Sequence, residues 1–358
     1  MSLKLKISIP LILLAMLLSA CNTQVQPTTP NEHDHDDHLG ETIALTPVDL
    51  AEGEKLKVLA TTNIVDDLIH NVGGDKIALT TMLPVGADPH TYVPTPQDIT
   101  AVVDAHLVFI NGLQLEEFLT ELISNALGTV PIVSLSLNVD TQEFEEMDGA
   151  IHSEEGHEED HQENNEEGHH DEHEDEDEEH AHSGVDPHIW LSPANVLVMV
   201  ENIEHALGEL DPSNAATYEA NATAYKTQLE ELDAWVMAQI ATIPPENRKL
   251  VTDHDAFAYY ADRYGLEIIG TIVPAYGINS ESSAQAFADL QETIKLTEAR
   301  AIFVGSTVNP TLAERIATDT GIKLVPLYTG SLSEAGQGAD SYIELIRYNT
   351  TAIVEALK

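Results

Sequence analysis

Tyr218, Ala222, Tyr225, Leu229, Leu232, Val236 and Ile240 follow one another at steps of four and three residues without a break. That spacing is one face of an α-helix. Asp211-Pro212 ahead of it supplies a cap and a first-turn proline, and Pro244-Pro245 behind it stops the helix. At ~1.5 Å per residue the rod is about 45 Å long. It is longer than a small α/β unit is wide, so it is expected to join two such units across residues 211–245.

Strand and helix signals alternate on both sides of the rod. Before it come strands at Val58–Thr62, Thr80–Val85, Leu107–Ile110 and Pro131–Leu137. Helical patterns fall at Ile64–Val72, Thr95–Ala105 and Leu115–Leu127. Thr95, Pro96 and Asp98 hold the N-cap, N1 and capping-box places. A further helix starts at Ser192-Pro193. After the rod come strands at Leu250–Thr252, Glu267–Pro274, Ala301–Val304 and Leu324–Leu327. Helices are expected at Ala256–Tyr264, Ala284–Glu298, Leu312–Thr320 and Tyr342–Leu357. Alternation of this kind builds parallel sheets flanked by helices. The expected fold is therefore α/β, with two lobes at 55–210 and 246–358 joined by one long rigid helix.

Two stretches stand outside this pattern. His152–His182 holds eight His, sixteen Asp or Glu, and no Lys or Arg. With almost no apolar residue it cannot bury a core, so 146–184 is expected to be a disordered loop. Residues 21–54, rich in Thr, Pro, Asn and Asp, are expected to be a disordered tether. The net charge of −47 argues against nucleic-acid phosphate as a partner and suits a surface that handles cations.

At the N-terminus, Lys4 and Lys6 precede an apolar run from Ile7 to Leu18. It is short for a membrane span and fits a secretory leader over residues 1–20. The run ends in Leu18-Ser19-Ala20-Cys21, which resembles a bacterial lipobox and implies lipidation of Cys21. Cys21 is the only cysteine, so an internal disulfide and a thiolate metal site are both excluded. Metal ligands here must be imidazole or carboxylate.

Asp-Pro-His occurs twice, at Asp88-Pro89-His90 and Asp186-Pro187-His188, and Asp253-His254-Asp255 follows the strand Leu250–Thr252. Ligands of open parallel sheets bind beyond the carboxyl ends of the strands. His90 and His188 from the first lobe and His254 from the second can then meet in the cleft and hold one Zn²⁺, with a further oxygen completing a tetrahedron. His70, His106 and His205 lie within helical segments and read as structural or exposed. A zinc hydrolase would need a general base as in His-Glu-x-x-His, which does not occur. The lipid anchor also allows a surface adhesin, but no residue pattern indicates a host ligand.

Several stretches together resemble the metal-binding lipoproteins of bacterial zinc and manganese ABC importers (cluster A-I, ZnuA-like). They are Gly86–Tyr92, Asn111–Glu116, Asp186–Leu191, Thr252–Phe257 and Leu327–Leu332. The resemblance covers the chain from about Lys55 to Lys358. It implies two lobes around an interlobe metal, with His90, His188 and His254 at the first three ligand places. It also implies a non-enzymatic, extracytoplasmic, lipid-anchored monomer that hands its cargo to a membrane ABC permease. Members that look manganese-selective tend to have a carboxylate at the third place, so His254 favours zinc, with manganese or iron as the alternative. Many members offer an Asp as fourth ligand where this chain has Gly330, which leaves that place to water or to a nearby carboxylate. The His-rich insertion is similar to that of zinc-type members, as a metal collector, a sensor of excess or a spacer.

Overall fold

The computed structural model describes residues 45–116, 118, 130–143, 184–273 and 284–358. The leader with Cys21, residues 21–44 of the expected tether, most of the helix expected at Leu115–Leu127, and the His/acid-rich run through 183 lie outside the described residues.

The first lobe contains β1 (Leu56–Ala60), α1 (Asn63–Gly73), β2 (Ile77–Thr81), α2 (Pro96–Asp104), β3 (Leu107–Ile110) and β4 (Ile132–Ser134). Its strands are all parallel, in the order β2-β1-β3-β4. The second lobe contains β5 (Lys249–His254), β6 (Glu267–Val273), β7 (Ala301–Gly305) and β8 (Lys323–Leu327), also parallel, in the order β6-β5-β7-β8. The two sheets thus share one topology. In each, the chain first winds to one side of its opening strand and then to the other, which opens a crevice at the carboxyl ends. The central strands β3 and β7 are buried along their whole length, as a sheet covered on both faces requires.

Between the lobes run α3 (Pro193–Leu210) and α4 (Ala215–Ile240). α4 has 26 residues, about 39 Å of helix, and all seven apolar positions of the sequence pattern are buried. Burial of each such side chain is worth about 1.5–3 kcal/mol, which outweighs a helix face otherwise polar. The expected cap at Asp211 is not found. The helix begins after a turn, and the Asp211 carboxylate accepts hydrogen bonds from Ser213 Oγ, Asn214 Nδ2 and Tyr218 Oη. A short Asp side chain with three local donors closes a turn more readily than it caps the helix beyond.

α5 (Ala258–Tyr264), α6 (Ala284–Thr297), α7 (Thr311–Thr320) and α8 (Tyr342–Leu357) complete the second lobe. One apolar cluster runs from Leu56 and Leu68 through Leu229 and Leu232 to Phe303, Leu345 and Leu357, so the two sheets share a core. Residues 45–54, expected to be tether, partly join it. Leu45, Val48 and Leu50 pack against the cluster, and Val48 N–H donates to the Leu210 carbonyl at 2.9 Å. Their apolar spacing is sparse, and the polar flanks hide it.

Candidate metal centre

β2 pairs with β1 up to Thr81, and the ladder runs on as Met82 N–H to Ala60 O and Leu83 N–H to Thr61 O. The strand expected at Thr80–Val85 is therefore shifted towards Ile77, and Pro84, which lacks an N–H, marks where the ladder stops. The chain turns at Gly86, whose φ of +82° suits a residue without Cβ. Asp88 Oδ1 then accepts the His90 N–H at 3.0 Å. The same turn recurs at Asp186, whose Oδ1 accepts the His188 N–H at 2.9 Å. This is the physical content of Asp-Pro-His: the carboxylate closes a turn on the N–H two residues on, and the proline between them fixes φ.

The His188 segment is pinned on several sides. Asp186 N–H donates to Gln142 O at 2.8 Å, and Glu143 and Val185 form an antiparallel bridge. Tyr259 Oη donates to Asp186 O at 2.8 Å and Asn111 Nδ2 to Pro187 O at 2.9 Å. Asp186 Oδ1 also lies 2.6 Å from His188 Nδ1. His254 is the last residue of β5 rather than one in the following loop. Asp253 Oδ1 accepts the His254 N–H and faces its Nδ1, each at 2.9 Å, and Asp253 Oδ2 accepts the Gly305 N–H at 2.7 Å. In both rings a carboxylate at Nδ1 favours the Nδ1–H tautomer, and His188 Nε2 faces His90 Nε2. Neither Asp186 nor Asp253 was singled out from the sequence, although each is one or two residues from its histidine.

The structure brings His90, His188 and His254 together. One ring nitrogen of each lies within 4.8 Å of the others. The ring centroids are 5.1, 5.2 and 6.1 Å apart, and His90 Nε2 is 3.1 Å from His188 Nε2. Bonds of ~2.0–2.1 Å to a tetrahedral ion set donor separations near 3.3 Å, and the His90–His188 pair is close to that spacing. His188 and His254 are buried and His90 is partly so. Burial, reinforced by the other two imidazoles, lowers His90 to about 2, and burial holds His188 well below its ordinary range. Burial pushes the Asp186 carboxyl up to about 7. Burial thus disfavours the protonated form of His90 and His188, and the three rings stand close enough to share one cation.

Among the described residues, the three other histidines stand apart from this cluster. His205 is exposed beside Glu209, and His106 Nδ1 accepts the Lys57 N–H at 3.1 Å. His70 lies exposed in the last turn of α1. Gly330 lies at the wall of the site. A Cβ there would fall 3.0 Å from Pro89 Cδ and 3.3 Å from Thr307 Oγ1, so the backbone approaches closely and no side chain is offered.

The manganese-binding lipoprotein MntA of Halalkalibacterium halodurans is 31% identical over 309 residues, which covers 86% of this chain and 90% of that protein. The manganese ABC transporter substrate-binding lipoprotein PsaA of Streptococcus pneumoniae is 30% identical, with 86% and 91% covered. Among solved structures, the Mn-bound periplasmic metal-binding protein of Candidatus Liberibacter asiaticus superposes with a TM-score of 0.68 at 27% identity, over 85% of this chain and all of that one. The family model described as zinc-uptake complex component A, periplasmic, matches residues 58–356, and the chain belongs to that family.

Proposed function

We propose that this protein is an extracytoplasmic receptor that holds one divalent transition metal on His90, His188 and His254 and passes it to an ABC importer in the membrane. The observation that carries the reading is the convergence of three ring nitrogens within 4.8 Å, two of them backed by carboxylates. We propose zinc as the ion. An all-imidazole set without an anionic ligand suits Zn²⁺ better than the harder Mn²⁺, and solvent is the first candidate for the fourth donor beside Gly330.

Manganese is the second reading, and the named relatives support it better than they support zinc, since both are manganese lipoproteins. Those names also favour a carrier over a hydrolase. A leader over residues 1–20 and a lipid on Cys21 fit the same role, and loss of fatty-acid labelling in Cys21→Ala checks that part. Calorimetric titration of metal-stripped protein with Zn²⁺ and with Mn²⁺, alone and in competition, decides between the metals. Tight one-to-one binding of zinc that manganese fails to displace is expected. Preference for manganese establishes the second reading, and the absence of a tight site for either ion rejects both.

A further inference from the structure

The loop 329–332 after β8 brings no side chain at Gly330, yet it touches the His90 and His188 segments and reaches the end of β7 that holds Asp253. Ser331 Oγ accepts the Gly86 N–H at 2.8 Å and Asn63 Nδ2–H at 3.0 Å, and donates to Leu332 O at 2.9 Å. Asn63 Oδ1 returns the contact by accepting the Leu332 N–H at 2.8 Å. Thr329 O accepts Trp190 Nε1–H at 2.8 Å, two residues beyond His188. The Thr329 side chain lies close to Gly305, whose N–H holds Asp253 behind His254. Thr329, Ser331 and Asn63 are all buried.

His188 and His254 are each gripped at Nδ1 by a carboxylate of their own segment. The arm of His90 has its backbone N–H on Asp88 Oδ1. It leaves β2 through the Gly86 turn, is the least buried of the three, and is tied to the second lobe four residues upstream through Ser331. We propose that the Asn63–Ser331 pair is a latch: it keeps the His90 arm closed on the ion, and its opening sets the rate of metal release. Ser331 and Asn63 are then positioning residues that act through His90. The inference rests on the metal-receptor reading above. Hydrogen bonds in so dry a contact each change an equilibrium by roughly two- to tenfold, so losing the pair leaves the arm measurably looser without removing a ligand.

A double-mutant cycle tests this. Zinc release to excess chelator is followed by stopped flow for the wild type, Ser331→Ala, His90→Ala and the double variant, with manganese used if that is the ion the wild type holds. Ser331→Ala is expected to speed release about tenfold, which is about 1.4 kcal/mol, and to add nothing in the His90→Ala background. Equal acceleration in both backgrounds would mean general loosening and overturn the latch, as would release at the wild-type rate. Asn63→Ala carries the same cycle if Ser331→Ala does not fold. A wild type that holds neither metal overturns the receptor reading and the latch with it; tight wild-type binding without coupling overturns the latch alone.

Discussion

His188 Nδ1 lies 2.6 Å from Asp186 Oδ1, while Nε2 of the same ring lies 3.1 Å from His90 Nε2. The ring is gripped on its back edge and presented on its front edge. A cation at Nε2 draws charge from the imidazole, and the carboxylate behind it stabilises the polarised ring. Asp186→Asn keeps an oxygen for the His188 N–H but removes that charge. Metal affinity is expected to fall by about 10–100-fold with the fold intact. Titration of the stripped variant checks this, and unchanged affinity would assign Asp186 to the turn alone.

Deletion of residues 152–182 is expected to leave the tight site unchanged and to abolish weak extra metal binding. Gln142 is hydrogen-bonded to Asp186 and Glu143 bridges Val185, so the described ends on either side of the run are held side by side. Among the described residues, His188 is held by Asp186, and its segment by Tyr259 and Asn111. Equilibrium dialysis with zinc over a range of concentrations counts both classes of site. Loss of the tight one would show that the run supplies a ligand.

Much of this arrangement could be read from the residues. Parallel strands buried on both faces leave apolar runs such as Leu107–Ile110, and the long helix declares itself through Tyr218–Ile240. The proximity of the three histidines was legible because Asp-Pro-His combines a turn signal with an imidazole and occurs twice. Less legible was whatever depends on partners distant in sequence. Asp211 reads as a cap until Ser213, Asn214 and Tyr218 are seen to share its carboxylate. Ser331 and Asn63 are ordinary residues 268 positions apart, and only the folded chain places them in contact. Asp253 differs from a routine strand-end acid only because Gly305 and His254 both need it.

The lowered histidines make a prediction about acid. His90 falls to about 2 in the fold, against about 6.5 in an unfolded chain, and His188 shifts in the same direction. The unfolded state therefore binds more protons over that interval, and stability rises with pH there. This contribution is complete above about pH 6.5 and is lost as the pH falls from there towards 2. Its slope is at most about 1.4 kcal/mol per pH unit for each ring. Metal-free wild type is expected to lose more stability between pH 7.5 and 4.5 than metal-free His90→Gln, as measured by urea unfolding. Equal losses would show that His90 takes up its proton as readily folded as unfolded.

The shared core makes a prediction about cooperativity. Leu229 is fully buried in the middle of α4, within the one apolar cluster that also contains Leu56 of the first sheet and Phe303 of the second. Leu229→Ala leaves a cavity that neither lobe can close alone, at a cost of about 2–5 kcal/mol. A chain of this size loses roughly 2–4 °C per kcal/mol, so the melting temperature is expected to drop by about 4–20 °C. Because the helix face belongs to both lobes, they should still unfold together in a single calorimetric peak. Trp190 by the site and Trp235 on α4 beneath Arg347 should report the same midpoint. Two separated transitions would mean that the lobes fold independently and that α4 connects them without coupling them. Metal stoichiometry below the transition should be unchanged, since Leu229 touches none of the three imidazoles; a lost site would mean that α4 also sets the distance between the histidine arms.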